Sequence, residues 1–193
     1  RVLFRSANNL PTNAIVANGA LAISAGSGSV STPGPIVSTS TSELSISSAQ
    51  TLTLPFNITA PTLKLTSTGS NISQAGGSIV STSKATLAAA TNVNLDVATN
   101  NFNQVVVTNT PGGATISDLN GIVIGGGTDV KGDLVVKAGQ AGNATNIVSI
   151  SSPLTTYTLN SGVSAANNTL LASTNGPVGS VTGVSAPASA KDR

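Results

Sequence analysis

Between Thr62 and Lys137 the chain repeats one device: aliphatic residues on alternate positions, then a run of Gly, Asn, Ser, Thr or Asp. The aliphatic sets are Leu63/Leu65, Val93/Leu95/Val97, Val105/Val107, Ile122/Ile124 and Leu134/Val136. Alternation with period two puts such residues on one side of a strand. Each set is too short for an amphipathic helix, and the residues between them are those that turn a chain. Each is long enough to be one rung of a sheet.

The same pattern extends outward with less regularity. Ala14-Ile15-Val16 and Leu21-Ala22-Ile23 read as short strands, and Thr32-Pro33-Gly34-Pro35 interrupts them, since two prolines cannot both serve a central ladder. From Glu43 the alternation returns at Leu44 and Ile46, then at Leu52 and Leu54, where Pro55 ends a strand or marks a corner. After Lys137 it continues through Ile147, Val148, Ile150, Leu154, Tyr157 and Leu159, and it fades beyond Ser161. The best helix candidate, Ala85 to Thr91, is about two turns long without good caps and reads better as another rung. The expected organisation is therefore 7–50 as irregular coils, 51–160 as regular repeats and 161–193 as fading coils and tail.

Composition separates a solenoid from a globular core. Charged residues are 7% and aromatics 2%, against about 25% charge in ordinary domains. Yet 39% of the chain is apolar, which is not a disordered composition. A thin core of Val, Ile, Leu and Ala repeated along an axis suits this balance. The apolar sets recur every 8–12 residues or so, a spacing shared with antiparallel sandwiches. Two features favour parallel coils. The strands are short, and Asn, Thr and Ser suit polar stacking between neighbouring coils. Asn-Gly pairs at Asn18-Gly19, Asn120-Gly121 and Asn175-Gly176 lack the long alternating flanks of hairpins. The fold expected is an all-β parallel solenoid over roughly Ala7 to Ser185, with a β-sandwich as the alternative. Coils of about 20–25 residues would number about seven or eight, making a rod of roughly 35–40 Å at a spacing of about 4.8 Å. Leu63, Leu65, Val93, Leu95, Val105, Val107, Ile116, Ile122, Ile124, Leu134 and Val136 should point inward.

The ends read differently. Arg1 to Ser6 match the translation of CGT GTG CTC TTC CGA TCT, the tail of a common sequencing adapter, and Asp192-Arg193 fits the start of its reverse complement. Residues 1–6 and roughly the last two are expected to be non-native assembly scars from a metagenomic contig, flanking a piece of a longer polypeptide. They should lie off the regular coils, with Phe4 exposed and Asp192 and Arg193 trailing. All three arginines fall in these ends. Between Ala7 and Ala190 stand Lys64, Lys84, Lys131 and Lys137 against Glu43, Asp96, Asp118, Asp129 and Asp133. The pI of 9.3 therefore signals no basic patch for nucleic acid or anionic membrane. No run approaches the roughly 18 apolar residues of a membrane span.

Chemistry is mostly excluded. With no His and no Cys, Ser–His and Cys–His nucleophile systems and thiol chemistry cannot operate. Ser27, within Ala25-Gly26-Ser27-Gly28, misses the nucleophile-elbow spacing. Asp118, Asp129 and Asp133 are the only acidic cluster that could cleave a polysaccharide, and turn or surface roles suit them better. Gly125-Gly126-Gly127-Thr128-Asp129 overlaps a calcium-repeat fragment, but occurs once and has Lys131 where an apolar residue belongs. A corner between rungs is the better reading. The sequons at Asn57, Asn71, Asn143 and Asn167 matter only in a eukaryotic secretory host. Phe102 and Tyr157 read as core or corner fillers. No catalytic, cofactor-binding or metal-binding residue is assigned.

TLKLTSTGSNISQAGG, ATLAAATNVNLDVATNNFNQVVVTN and ATISDLNGIVIGGGTDVKGDLVVKAG resemble the repeat region of filamentous-haemagglutinin-like bacterial exoproteins. Asn101-Phe102-Asn103, Ile116-Ser117-Asp118-Leu119-Asn120 and Gly132-Asp133-Leu134-Val135-Val136 carry the likeness, with Asp133 where the family pattern has Asn. The resemblance covers about residues 50 to 150. It implies a right-handed parallel β-helix shaft, exported by two-partner secretion or as an autotransporter-like passenger, although no secretion domain is recognisable. The function expected is a structural segment of a secreted or surface-anchored adhesin, neither an enzyme nor a cofactor binder. Its partners would be adjacent coils of the same polypeptide, with receptors or glycans met through other regions. A carbohydrate-acting or ice-binding solenoid is the competing class. Ice binding asks for Thr-x-Thr ranks in register, and Thr51-Leu52-Thr53, Thr66-Ser67-Thr68 and Thr156-Tyr157-Thr158 are irregularly spaced.

Overall fold

A computed structural model describes residues 2–6, 10–11, 15–28, 30–31, 34–108, 110–130 and 133–138, together with the strands Ile147–Ile150, Thr158–Asn160 and Leu170–Ser173. The alternating sets become strands, and every strand pair among the described residues is parallel. They form one twelve-stranded and one eight-stranded sheet. Adjacent rungs are never consecutive in sequence. Partners lie 19 residues apart at Leu44↔Leu63, 21 at Ile72↔Val93 and 26 at Ile124↔Ile150. A chain that meets itself in parallel once per such step is a parallel β-solenoid, and the sandwich alternative is excluded. The described residues contain no helix.

Up to Val107 each coil carries three β segments. The first face stacks Leu21–Ala25, Glu43–Ser48, the second halves of the strands Ile58–Ser67 and Ile79–Ala89, and Gln104–Val107. A second face stacks Leu52–Leu54, Ile72–Gln74, Val93–Leu95, Ala114–Asp118 and Asp133–Ala138. The third stacks Ile15–Ala17, Ile36–Ser38, the first halves of the two long strands, and Asn101–Phe102. Residues 84–89 belong to the rung expected at Ala85.

Because side chains alternate along each strand, every face sends fixed ranks inward. Leu21, Leu44, Leu63, Ala85 and Val105 form one such rank on the first face. Leu52, Ile72, Val93, Ala114 and Leu134 form its counterpart on the second. All eleven residues expected to point inward are at most 1% exposed. Each fully buried Leu or Ile contributes about 1.5–3 kcal/mol, and stacking repeats that gain in every coil without needing large aromatic residues.

Beside the corners the inward positions are small: Ala25, Ser48, Ser67 and Ala89 in one rank, and Ala17, Ser38, Ala60 and Ser81 in another. Three of these four serines tie coils together. Ser48 donates to the Gly28 carbonyl at 2.8 Å, Ser67 to that of Gln50 at 2.6 Å and Ser81 to that of Pro61 at 3.1 Å.

The N-terminal expectation is corrected. Val2–Ser6 does not lie off the coils: it is a strand paired in parallel with Leu21–Ala25, Val2 opposite Leu21 and Phe4 opposite Ile23. Backbone pairing at a sheet edge requires an extended chain and little of its sequence, so an alternating Val-Leu-Phe segment can complete a rung whatever its origin. Leu3, on the outward side, is 47% exposed. The expectations for the Phe4 side chain and for Asp192 and Arg193 lie outside the described residues.

Candidate functional site

The most constrained chemistry lies inside one line of corners. Asn100 is fully buried. Its Oδ1 accepts from the Ile79 amide at 2.8 Å, and its Nδ2 donates to the Leu95 carbonyl at 3.1 Å. Asn100 and Gln74 also exchange two amide–amide hydrogen bonds of 2.8 Å across adjacent coils. One coil further on, Asp118 takes the capping role at 2% exposure. Its Oδ2 accepts from the Phe102 amide at 2.5 Å and its Oδ1 from the Asn120 amide at 2.8 Å. Burial pushes the Asp118 carboxyl up to about 6, against the two amides, which favour the charged form. An acid turned inward onto backbone amides closes a corner, and it presents no carboxylate to a solvent-side substrate.

The other weighed residues are also placed by the coil. Thr128 is fully buried: its hydroxyl donates to the Gly125 carbonyl at 2.8 Å and accepts from the Val107 amide at 3.4 Å. With Gly127 at φ +86°, this makes the 125–129 stretch a corner between rungs. The Asp129 backbone joins the ladder, its amide donating to Val107 and its carbonyl accepting from Thr110. Asp133 pairs through its backbone with Thr158. Among the described residues no three His, Cys, Asp or Glu side chains could hold a metal ion. Ser27 lies in the bend after Leu21–Ala25. Phe102, 1% exposed, is a core filler. Tyr157, Lys131, Asn143, Asn167 and most of Thr156-Tyr157-Thr158 lie outside the described residues.

The outer surface is sparsely charged. Asp96 receives the Lys137 ammonium at 2.8 and 2.7 Å and a short hydrogen bond from Ser117, so three successive coils are joined. Partial burial raises the Asp96 carboxyl, but Lys137 and Ser117 together hold it below its ordinary value. Before the second-face strands runs an asparagine ladder. Asn71 Oδ1 accepts from the Thr91 hydroxyl and, at 3.2 Å, from the Asn92 amide; Asn92 Oδ1 accepts from Gly113 at 2.9 Å. A groove of about 380 Å³ lies against Thr66, Thr68, Ala88, Ala90 and Pro111. Thr66-Ser67-Thr68 thus lines a groove at the end of the first face, while Thr51-Leu52-Thr53 opens the second face. Lys64 stands between Ser45 and Thr86 on the first face, which breaks a uniform hydroxyl rank there.

Sequence reasoning anticipated polar stacking between coils but gave no bonding role to Gln74, Asn100, Thr128, Ser48 or Ser67. Their common signal is a polar residue adjoining an aliphatic alternation at a recurring coil position, visible only once the coil length is known.

The class of protein defined by these features is a repeat β-solenoid whose polar residues hold coil to coil, a structural repeat role. Residues 41–109 match a family described as repeats of unknown function (DUF5649). No curated protein matches the chain, and no solved structure does.

Proposed function

We propose that this chain is a shaft segment of a large secreted or surface-anchored bacterial exoprotein of the filamentous-haemagglutinin-like type, acting as a spacer without catalysis. The observation that carries the reading is the parallel pairing of every described strand from Val2–Ser6 to Thr158–Asn160, sealed by side chains that bond to the next coil. Such a stack extends a polypeptide in one direction and needs no ligand to do so. The polar residues with the strongest constraints, Asn100 and Asp118, are turned inward and serve the stack. The likeness of residues 101–103, 116–120 and 132–136 to the exoprotein repeats supplies the cellular setting.

Sequencing the locus outward tests this directly. The expected result is one long reading frame with further solenoid repeats on both sides and an export domain of the two-partner or autotransporter kind. A short frame bounded by this segment, or a frame joined to a cytoplasmic enzyme, would sink the reading. Assay of the purified chain on acidic and neutral polysaccharides, and for thermal hysteresis, should give nothing above buffer.

A further inference from the structure

Two Asn-Gly pairs fall among the described residues, Asn18-Gly19 and Asn120-Gly121. Both asparagines are exposed and both sit in bends just before a strand. Exposure and sequence therefore do not distinguish them. The hydrogen bonding does. Asn18 is tethered to the neighbouring coil, its Oδ1 accepting from the Thr39 hydroxyl at 3.0 Å. Asn120 is held only through its backbone, the amide donating to Asp118. Among the described residues its side-chain amide has no partner.

We propose that Asn120 is a self-modification site, converting by intramolecular cyclisation ahead of Asn18. Glycine follows each asparagine, so no β-carbon shields the attacking nitrogen. The Gly121 nitrogen attacks the Asn120 side-chain carbonyl carbon, a new C–N bond closes a succinimide, and the Asn120 Cγ–Nδ2 bond breaks. The Gly121 amide proton leaves with the departing amide as ammonia. Water then opens the ring at either carbonyl, giving aspartate or isoaspartate, with no oxidant or cofactor involved. The product places a carboxylate beside the buried Asp118 corner. In its iso form it also lengthens the main chain by one methylene between the second-face strand and Ile122. An extracellular shaft that is not turned over would accumulate this change with age.

The whole chain is incubated at mildly alkaline pH and physiological temperature, digested with trypsin, and followed by mass spectrometry. Asn120 reports in the peptide from Ala85 to Lys131, and Asn18 in the peptide ending at Lys64. A parallel sample is held in urea. In the native chain Asn120 should convert several-fold faster than Asn18, while in urea the two rates should be about equal. Thr39→Ala, at an exposed position, should raise the native rate at Asn18 and leave Asn120 unchanged. Native rates that match the urea ratio, conversion led by Asn18, no conversion at Asn120, or no response to Thr39→Ala would each overturn the proposal.

Discussion

A carboxyl group at 2% exposure that accepts two amide protons is under opposed demands. The amides favour charge, burial opposes it, and burial wins, carrying Asp118 from 3.8 to about 6. Below 3.8 folded and unfolded chains both hold the proton and the stabilisation is fully present. As pH rises from 3.8 through about 6 the unfolded chain gives up the proton that the folded chain keeps, and up to about 3 kcal/mol is lost by the time the folded chain ionises. Asp96, lowered in the fold, acts in the opposite sense: its contribution is lost as pH falls. Urea unfolding should therefore show lower stability at about pH 8 than at about pH 5, with Asp118→Asn removing most of that difference. Asp118→Ala leaves the Phe102 and Asn120 amides unpaired and should cost about 1–3 kcal/mol in the same assay. Ser38 is the converse case. Its hydroxyl is buried without a partner, while its rank neighbours Ala17 and Ala60 are alanines. Ser38→Ala should leave stability unchanged or raise it by about 1 kcal/mol, read as a shift of the urea midpoint.

Strands and corners answer to different rules, and the glycines show it. Gly77 has φ +65°, and a β-carbon there would stand 2.3 Å from the Phe56 carbonyl carbon, whereas Gly127 at φ +86° has open space around it. Gly127→Ala should cost only the left-handed backbone term, about 1–2 kcal/mol. Gly77→Ala adds a backbone clash and should cost clearly more, as measured by thermal unfolding. The strands were legible in the sequence because inward and outward residues alternate within one run, and Leu63, Leu65, Val105 and Val107 needed no information beyond their neighbours. The polar residues buried inside the corners were not. Asn100, Thr128 and Asp118 are buried because their bonding partners are supplied by adjoining or neighbouring coils, including Ile79, Val107 and Phe102. Whether a polar residue turns inward thus depends on a contact 16 to 21 residues away in the chain, which no local window contains. The Val2–Ser6 rung was missed for a related reason: a sheet edge selects for extension more than for a particular sequence.

Because most contacts join a coil to its neighbours, stability should behave as a sum over coils and interfaces. Deleting residues 72–92, one step of the Ile72↔Val93 register, sets Val93 over Leu52 and preserves every inward rank. That variant should still fold cooperatively by circular dichroism, at a lower melting temperature. Deleting residues 72–82 brings mismatched faces together and should abolish the transition. The direction of the hydrogen bonds has a mechanical consequence. Strands lie across the long axis and their ladders run along it, so tension applied end to end opens one rung at a time and does not shear all of them together. Each rung occupies about 4.8 Å when stacked, yet its chain of about 21 residues spans roughly 70 Å once extended. A stack made this way is stiff under small loads and, when overloaded, yields length coil by coil.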